Sequence, residues 1–149
     1  MLVGIGSARA EQAIRQEPWV LHYMTLNTTE LTPDVARSYG VSRTKTRGLL
    51  MLNLQRSDTP LQSIEHTSEG TIRNLIGQSR AEDPRYVKAG DAIYTLVEYR
   101  YSHLETLRFD FSVLPEGATK PIRLNFNQQM FTPGPVSYTH LTLPTSELV

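Results

Sequence analysis

The chain has 149 residues, with 15 basic side chains against 15 acidic ones, four histidines and no cysteine. That length suits one domain with a core of its own, and the charge balance leaves no net field to gather nucleic acid or an anionic membrane. The missing cysteines exclude disulfides, thiolate chemistry and Cys-based zinc or iron–sulfur sites. No apolar run approaches the ~18 residues that a membrane-spanning helix needs.

Residues 1–10, MLVGIGSARA, read as the end of a secretory signal: Ala8-Arg9-Ala10 has the A-x-A cleavage pattern behind a short apolar stretch. The basic n-region and most of the apolar h-region are missing. These ten residues are therefore read as a truncated signal remnant, with Glu11 opening an exported, periplasmic domain that covers 11–135. Ile14 to Glu17 leads into a first strand, Trp19 to Asn27, which is partly apolar on both faces. Thr32-Pro33-Asp34 then starts a short helix over 33–39. Thr32 caps the free amides, Pro33 suits the first helical position, Asp34 complements the positive end, and Gly40 supplies the C-terminal cap.

Gly48 to Gln55 is the second strand, with Leu50, Leu52 and Leu54 sharing a face. After the turn signal Ser57-Asp58-Thr59-Pro60, Leu61 to Glu69 and Thr71 to Gln78 read as two strands broken at Gly70, and Arg85 to Lys88 as a short fifth. Ala92 to Tyr101, Leu107 to Val113 and Ile122 to Phe126 read as three consecutive strands of one antiparallel sheet. In the second of these, Leu107, Phe109, Phe111 and Val113 alternate with Arg108, Asp110 and Ser112, which marks a strand with one buried and one wet face. Seven to eight short strands and one short helix imply an all-β, immunoglobulin-like antiparallel β-sandwich, with a small closed barrel as the alternative. From Val136 onward, Val-Ser-Tyr-Thr-His-Leu-Thr-Leu-Pro-Thr matches the translation of a sequencing adapter. Residues 136–149 are therefore read as a non-native tail, and Tyr138 and His140 are left out of any site.

The search for chemistry finds no phosphate loop, dinucleotide fingerprint or nucleophile elbow, and no metal or cofactor is expected. His22, His66 and His103 are far apart in sequence, and His22 fits a half-buried strand position. Ser102, His103 and Glu105 can be drawn as a triad, but neighbours in one turn cannot supply the two directed bonds it requires. Glu98, Glu105 and the Glu82-Asp83 pair read as solvated charges. Tyr94, Tyr99 and Tyr101 form either an exposed aromatic strip or a cover for the core edges. One charge cluster stands out: Arg43, Lys45 and Arg47 fall on one side if the segment is extended. With Tyr39 at the end of the preceding helix, they make a candidate binding spot for a carboxylate, phosphate or lipid headgroup. The simpler reading is a solvated face.

The positions Asn27-Thr28-Thr29, Leu31, Pro33, Val35-Ala36, Tyr39-Gly40 and Arg43-x-Lys45-x-Arg47 resemble a family of small exported proteobacterial proteins, domain of unknown function 4426. Asn74-Leu75, Gly77-Gln78, Gly90-Asp91-Ala92-Ile93-Tyr94 and Glu105-Thr106-Leu107-Arg108-Phe109 extend the resemblance, which runs from about Trp19 to Phe131. It implies export, a β-sandwich and no assigned enzyme activity, and it supplies no catalytic residues. The expectation is a non-enzymatic periplasmic binding or accessory module with an envelope protein as partner. A small hydrolase-like enzyme is the alternative, with a dispersed site where His22, His66 or His103 meets a carboxylate or serine. A structural envelope protein is the third reading.

Overall fold

Side chains that alternate between apolar and polar can hide one face of a strand, and most strands here do so against a single shared core. The computed structural model describes residues 12–134, so the expected signal remnant at 1–10 and the expected tail at 136–149 lie outside the described residues. Among the described residues nine strands are present: β1 Gln12–Gln16, β2 Trp19–Asn27, β3 Arg47–Arg56, β4 Thr59–Ser63, β5 His66–Asn74, β6 Arg85–Ala89, β7 Ala92–Arg100, β8 Thr106–Pro115 and β9 Ile122–Gln129. They form two antiparallel sheets, one ordered β1-β2-β3-β7-β6 with β4 also on β3, the other β5-β8-β9. The architecture is the expected immunoglobulin-like β-sandwich.

Leu50, Leu52 and Leu54 of β3 and Val97 and Tyr99 of β7 meet Leu107, Phe109, Phe111 and Val113 of β8 between the sheets, all essentially without solvent exposure. Phe109 stacks on Phe126 at 4.4 Å between centroids, and Tyr99 stands edge-on to Phe109 at 5.3 Å. The one α-helix among the described residues, α1, spans Pro33–Tyr39 as expected: the Thr32 hydroxyl accepts from the Val35 amide, and Gly40 ends the helix at φ 71°. Residues around α1 cover the outer face of the larger sheet, where Val41, Leu49 and Leu96 form a second apolar cluster with Leu31, Tyr39 and Tyr94.

Three expectations need correction. The strand count among the described residues is nine because the lead-in segment pairs with β2 as β1, from Gln12↔Tyr23 to Gln16↔Trp19. No break falls at Gly70: β5 runs through it, and the interruption lies before His66. Gly70 faces Phe111 across the ladder, where an added Cβ would stand 2.2 Å from the Asp110 carbonyl oxygen, so the missing side chain permits close approach of two backbones. Lastly, β7 does not share a sheet with β8 and β9. It lies between β3 and β6, and the chain crosses to the other sheet through 101–105. Residues 95–99 are buried in unbroken succession because the core covers one face of β7 and the α1 region the other.

Candidate functional site

β2, β5, β7 and β9 finish, and β3 and β8 begin, at one end of the sandwich, as the ladder registers require. Segments 28–30, 41–46, 75–84, 101–105 and 130–134 meet there. Two side chains tie them together. The Tyr101 hydroxyl accepts from the Asn27 side-chain amide and has two carbonyl acceptors in reach, Lys45 at 3.1 Å and Phe131 at 3.2 Å. Burial pushes the Tyr101 phenol up, so it stays a donor. Glu105 accepts from Arg80 at 2.7 Å, from Asn74 at 2.9 Å and from the Ser102 amide at 3.0 Å. Burial opposes ionisation of Glu105, but these donors outweigh it and hold the carboxyl below its usual range. A cleft of about 280 Å³ opens beside Tyr101, lined by Leu26, Asn27, Glu30, Gln128 and Phe131 among others.

The four residues singled out for binding all belong to this end or its flank, in different situations. Tyr39 is half-buried, its ring 6.4 Å from that of Tyr94. Arg43 is exposed and donates to two carbonyls, Leu31 at 2.7 Å and Thr29 at 3.0 Å. Lys45 is exposed in a turn closed by the Arg47 amide on the Thr44 carbonyl at 3.1 Å. The segment is thus not extended, and the three cations do not form a single row. Arg47 is engaged with acids, Glu82 at 2.6 Å and Glu98 at 3.3 Å, and its hydrogen bond to the Glu82 carboxylate is the main reason its pKa is raised.

Glu98 and Glu105 are not the solvated charges expected from the sequence. Glu98 is 7% exposed, and Arg47 and Arg85 bond its two oxygens. Arg85 also donates to the Gly40 carbonyl at 3.0 Å, which ties the end of α1 to β6. Tyr99 and Tyr101 point into the core while Tyr94 lies on the opposite face, so the three tyrosines form no strip.

The histidines occupy separate places. His22 is half-buried on β2. His103 Nδ1 accepts from the Thr132 amide at 3.0 Å and its ring meets Phe131, whereas the Glu105 carboxylate takes the Ser102 amide, so this turn assembles no triad. His66, at the opposite end, has more chemical interest. Its Nδ1–H donates to the Ile64 carbonyl at 2.8 Å, which leaves Nε2 to accept from Thr95 at 2.7 Å, and Ser68 bonds the same hydroxyl at 3.1 Å. A base beside a hydroxyl is the first half of a nucleophilic site, but Thr95 has no solvent exposure and the orienting group is a neutral carbonyl. Burial lowers the His66 pKa and keeps the ring neutral. Among the described residues, no group of three or more His, Asp or Glu side chains is placed to hold a metal ion.

The model of the domain of unknown function DUF4426 matches residues 14–133. The chain belongs to this family. A crystal structure of a DUF4426 family protein from Pseudomonas aeruginosa PAO1 superposes with a TM-score of 0.73 at 28% identity, over 83% of this chain and 97% of that one. FetP of uropathogenic Escherichia coli strain F11, expressed recombinantly in the periplasm, superposes at 0.58 with 11% identity over 85% and 97% of the two chains. A copper-bound variant of FetP gives 0.58 and 11% over 84% and 97%. The FetP likeness shows a common fold. No curated protein matches the sequence significantly.

In this DUF4426 protein the residues that build the loop end, Tyr101 and Glu105, were missed as positioning groups by sequence reasoning. Tyr101 carried a signal in its inward parity with Val97 and Tyr99 on β7. Nothing in the local sequence of Glu105 announces Arg80 and Asn74 as its partners, because they lie 25 and 31 residues earlier in the chain.

Proposed function

We propose that this DUF4426 protein is a non-enzymatic binding or accessory module of the periplasm. Its loop end would recognise an anionic group on an envelope partner through Tyr39, Arg43, Lys45 and Arg47. One observation carries this reading. The Arg43 guanidinium is aimed by two neutral carbonyls, so the side chain is held in place, and among the described residues no carboxylate pairs with it. A pre-oriented, exposed cation loses little freedom when it meets a carboxylate or phosphate. Arg47 also holds Glu82 and Glu98, and Tyr39 packs the helix end against the Val41, Leu49 and Leu96 cluster. The shared fold with a protein expressed in the periplasm supports an envelope setting. We also read residues 11–135 as the domain and 136–149 as no part of it, in keeping with a family match that ends at 133.

The test is capture of envelope components on the immobilised chain, beside an Arg43→Ser, Lys45→Ser variant that spares Arg47 and the fold. The reading expects at least one component held by the parent at low salt and released by the variant and by salt. Identical capture by both proteins overturns it.

A further inference from the structure

Turn centres normally carry polar residues or glycine, and two turns at the loop end break that rule. Leu75 and Ile76 stand at the centre of a turn pinned by the Gly77 amide on the Asn74 carbonyl at 3.0 Å and by the Gln78 amide on the Asn74 side chain at 2.8 Å. They are 59% and 80% exposed. In the neighbouring turn, the Glu105 amide closes on the Ser102 carbonyl at 3.0 Å, and Leu104 takes φ 70°, a left-handed position that glycine suits and a γ-branched residue does not. Leu104 is 51% exposed, and Phe131, beside it through the Leu104 amide's bond to Met130, is 60% exposed. Four of the large exposed apolar side chains thus come together at one end, on turns made rigid by Glu105 and Asn74.

Cations flank this tip. Arg73 and Arg108 are opposed across the β5–β8 ladder, a like-charge pairing that disfavours the sheet unless an anion shares it. Arg100 stands at the end of β7 on the other sheet, cross-strand from Arg47. Arg73, Arg100 and Arg108 are exposed, and none has a carboxylate partner among the described residues. The nearest acid on this face, Asp110, is bonded to Arg123 at 3.3 Å.

Rigid apolar turns projecting between arginines complement one kind of surface, a bilayer with anionic headgroups over an apolar interior. We propose that the loop end docks on an anionic membrane surface, with Leu75, Ile76, Leu104 and Phe131 entering the headgroup layer and Arg73, Arg100 and Arg108 contacting lipid phosphates. This rests on the reading of that end as the binding face and takes the anionic group to be a lipid headgroup. The chain carries no formal net charge, so attraction comes from the local array alone and acts only within about 10 Å of the surface.

The experiment uses the 149-residue chain and vesicles of equimolar phosphatidylglycerol and phosphatidylcholine, against vesicles of phosphatidylcholine alone. Co-sedimentation should favour the anionic vesicles and be abolished by high salt. Arg73→Ser with Arg108→Ser should weaken binding about thirtyfold, given about 1 kcal/mol for each basic side chain near a charged surface. Leu75→Ser with Ile76→Ser should weaken it at least about tenfold. Ile76→Trp supplies a local probe. Its fluorescence should shift to the blue on anionic vesicles, whereas Trp19, at the far end of β2 and roughly 26 Å from the tip by strand rise, should leave the parent spectrum unchanged. All substituted positions are exposed, and unchanged melting temperatures verify the fold. Absent binding, equal binding to neutral vesicles, or binding indifferent to both double variants overturns the proposal. If vesicle binding fails while Arg43 and Lys45 still govern capture of an envelope protein, only the membrane inference falls. If that capture is also indifferent, the binding-face reading falls with it.

Discussion

Arg85 pairs with Glu98 and Arg47 shares itself between Glu98 and Glu82, so Glu98→Gln would set two cations against a neutral amide at a nearly dry position, with only Arg47 keeping a carboxylate. Breaking a buried ion pair by removing one partner costs about 3–5 kcal/mol, and the partial exposure of both arginines brings the expectation here to about 2 kcal/mol. Thermal melting should fall by several degrees, and an unchanged midpoint would show that water already satisfies both arginines. Arg47→Ser should cost a similar amount, whereas the cation at Arg43 should be removable almost free of charge to stability. His66 gives a pH-dependent counterpart. Its folded pKa is lowered by burial, so the unfolded chain takes up a proton first as pH falls through about 6.5. Stability from this group is complete above that pH and declines below it until the lowered native pKa is reached. His66→Gln should therefore flatten the melting-temperature profile between about pH 7.5 and 5. A slope equal to the parent's would assign the loss to other groups. Acid loss from Glu105 lies lower, beginning below about pH 4.3, because its folded pKa is depressed. At this scale the sequence was least legible. Glu98 sits in a strand with the outward parity of a solvated charge, and only the covering of that face by the α1 region turns it into a buried one.

Strands and helix were easier to read because their periods are local. The alternation of β8 and the capping residues Thr32, Pro33 and Gly40 gave the burial pattern and the helix bounds that the structure shows. Gly70 misled because a glycine within an apolar-polar run is compatible with a break or with a close approach, and the difference lies in the partner strand. That difference is testable. Gly70→Ala places a methyl 2.2 Å from the Asp110 carbonyl oxygen and 2.6 Å from the Phe111 Cα, atoms of backbone that cannot rotate away. We expect destabilisation beyond the ~1–3 kcal/mol usual for overpacking, readable as a large drop in denaturant midpoint. A midpoint within experimental error of the parent's would mean that β5 and β8 stand further apart. At Gly77, where nothing lies within 4 Å of an added Cβ, the cost should come from its positive φ alone.

For the molecule as a whole, the count and spacing of strands sufficed to place the chain among sandwiches, but not to say which strands share a sheet. β7 looked like the neighbour of β8 because it precedes it, and its unbroken burial over 95–99 was the available clue that both its faces are covered. The cation cluster was legible as charges and not as geometry, since the turn at 44–47 breaks the row that an extended segment would make. Treating residues 11–135 as the domain predicts that deletion of 136–149 shifts the melting temperature by no more than about a degree. A fall of several degrees, equivalent to about 1 kcal/mol or more in a domain of this size, would place those residues within the cooperative unit.

The division of strands between sheets also sets the order in which the molecule can be completed. β5 leaves the larger sheet behind and, among the described residues, has only β8 as a neighbour strand, while β6 and β7 return to the first sheet before β8 is reached. A chain emerging from its N-terminus therefore carries β5 as an open edge through the synthesis of two further strands. Long-range antiparallel pairings of this kind belong to the millisecond-to-second class of folding rates, and an exposed strand edge during that wait is a template for pairing with another chain. Delivery of such a chain to its final compartment before β8 and β5 have met would postpone collapse until both halves of the smaller sheet are available together.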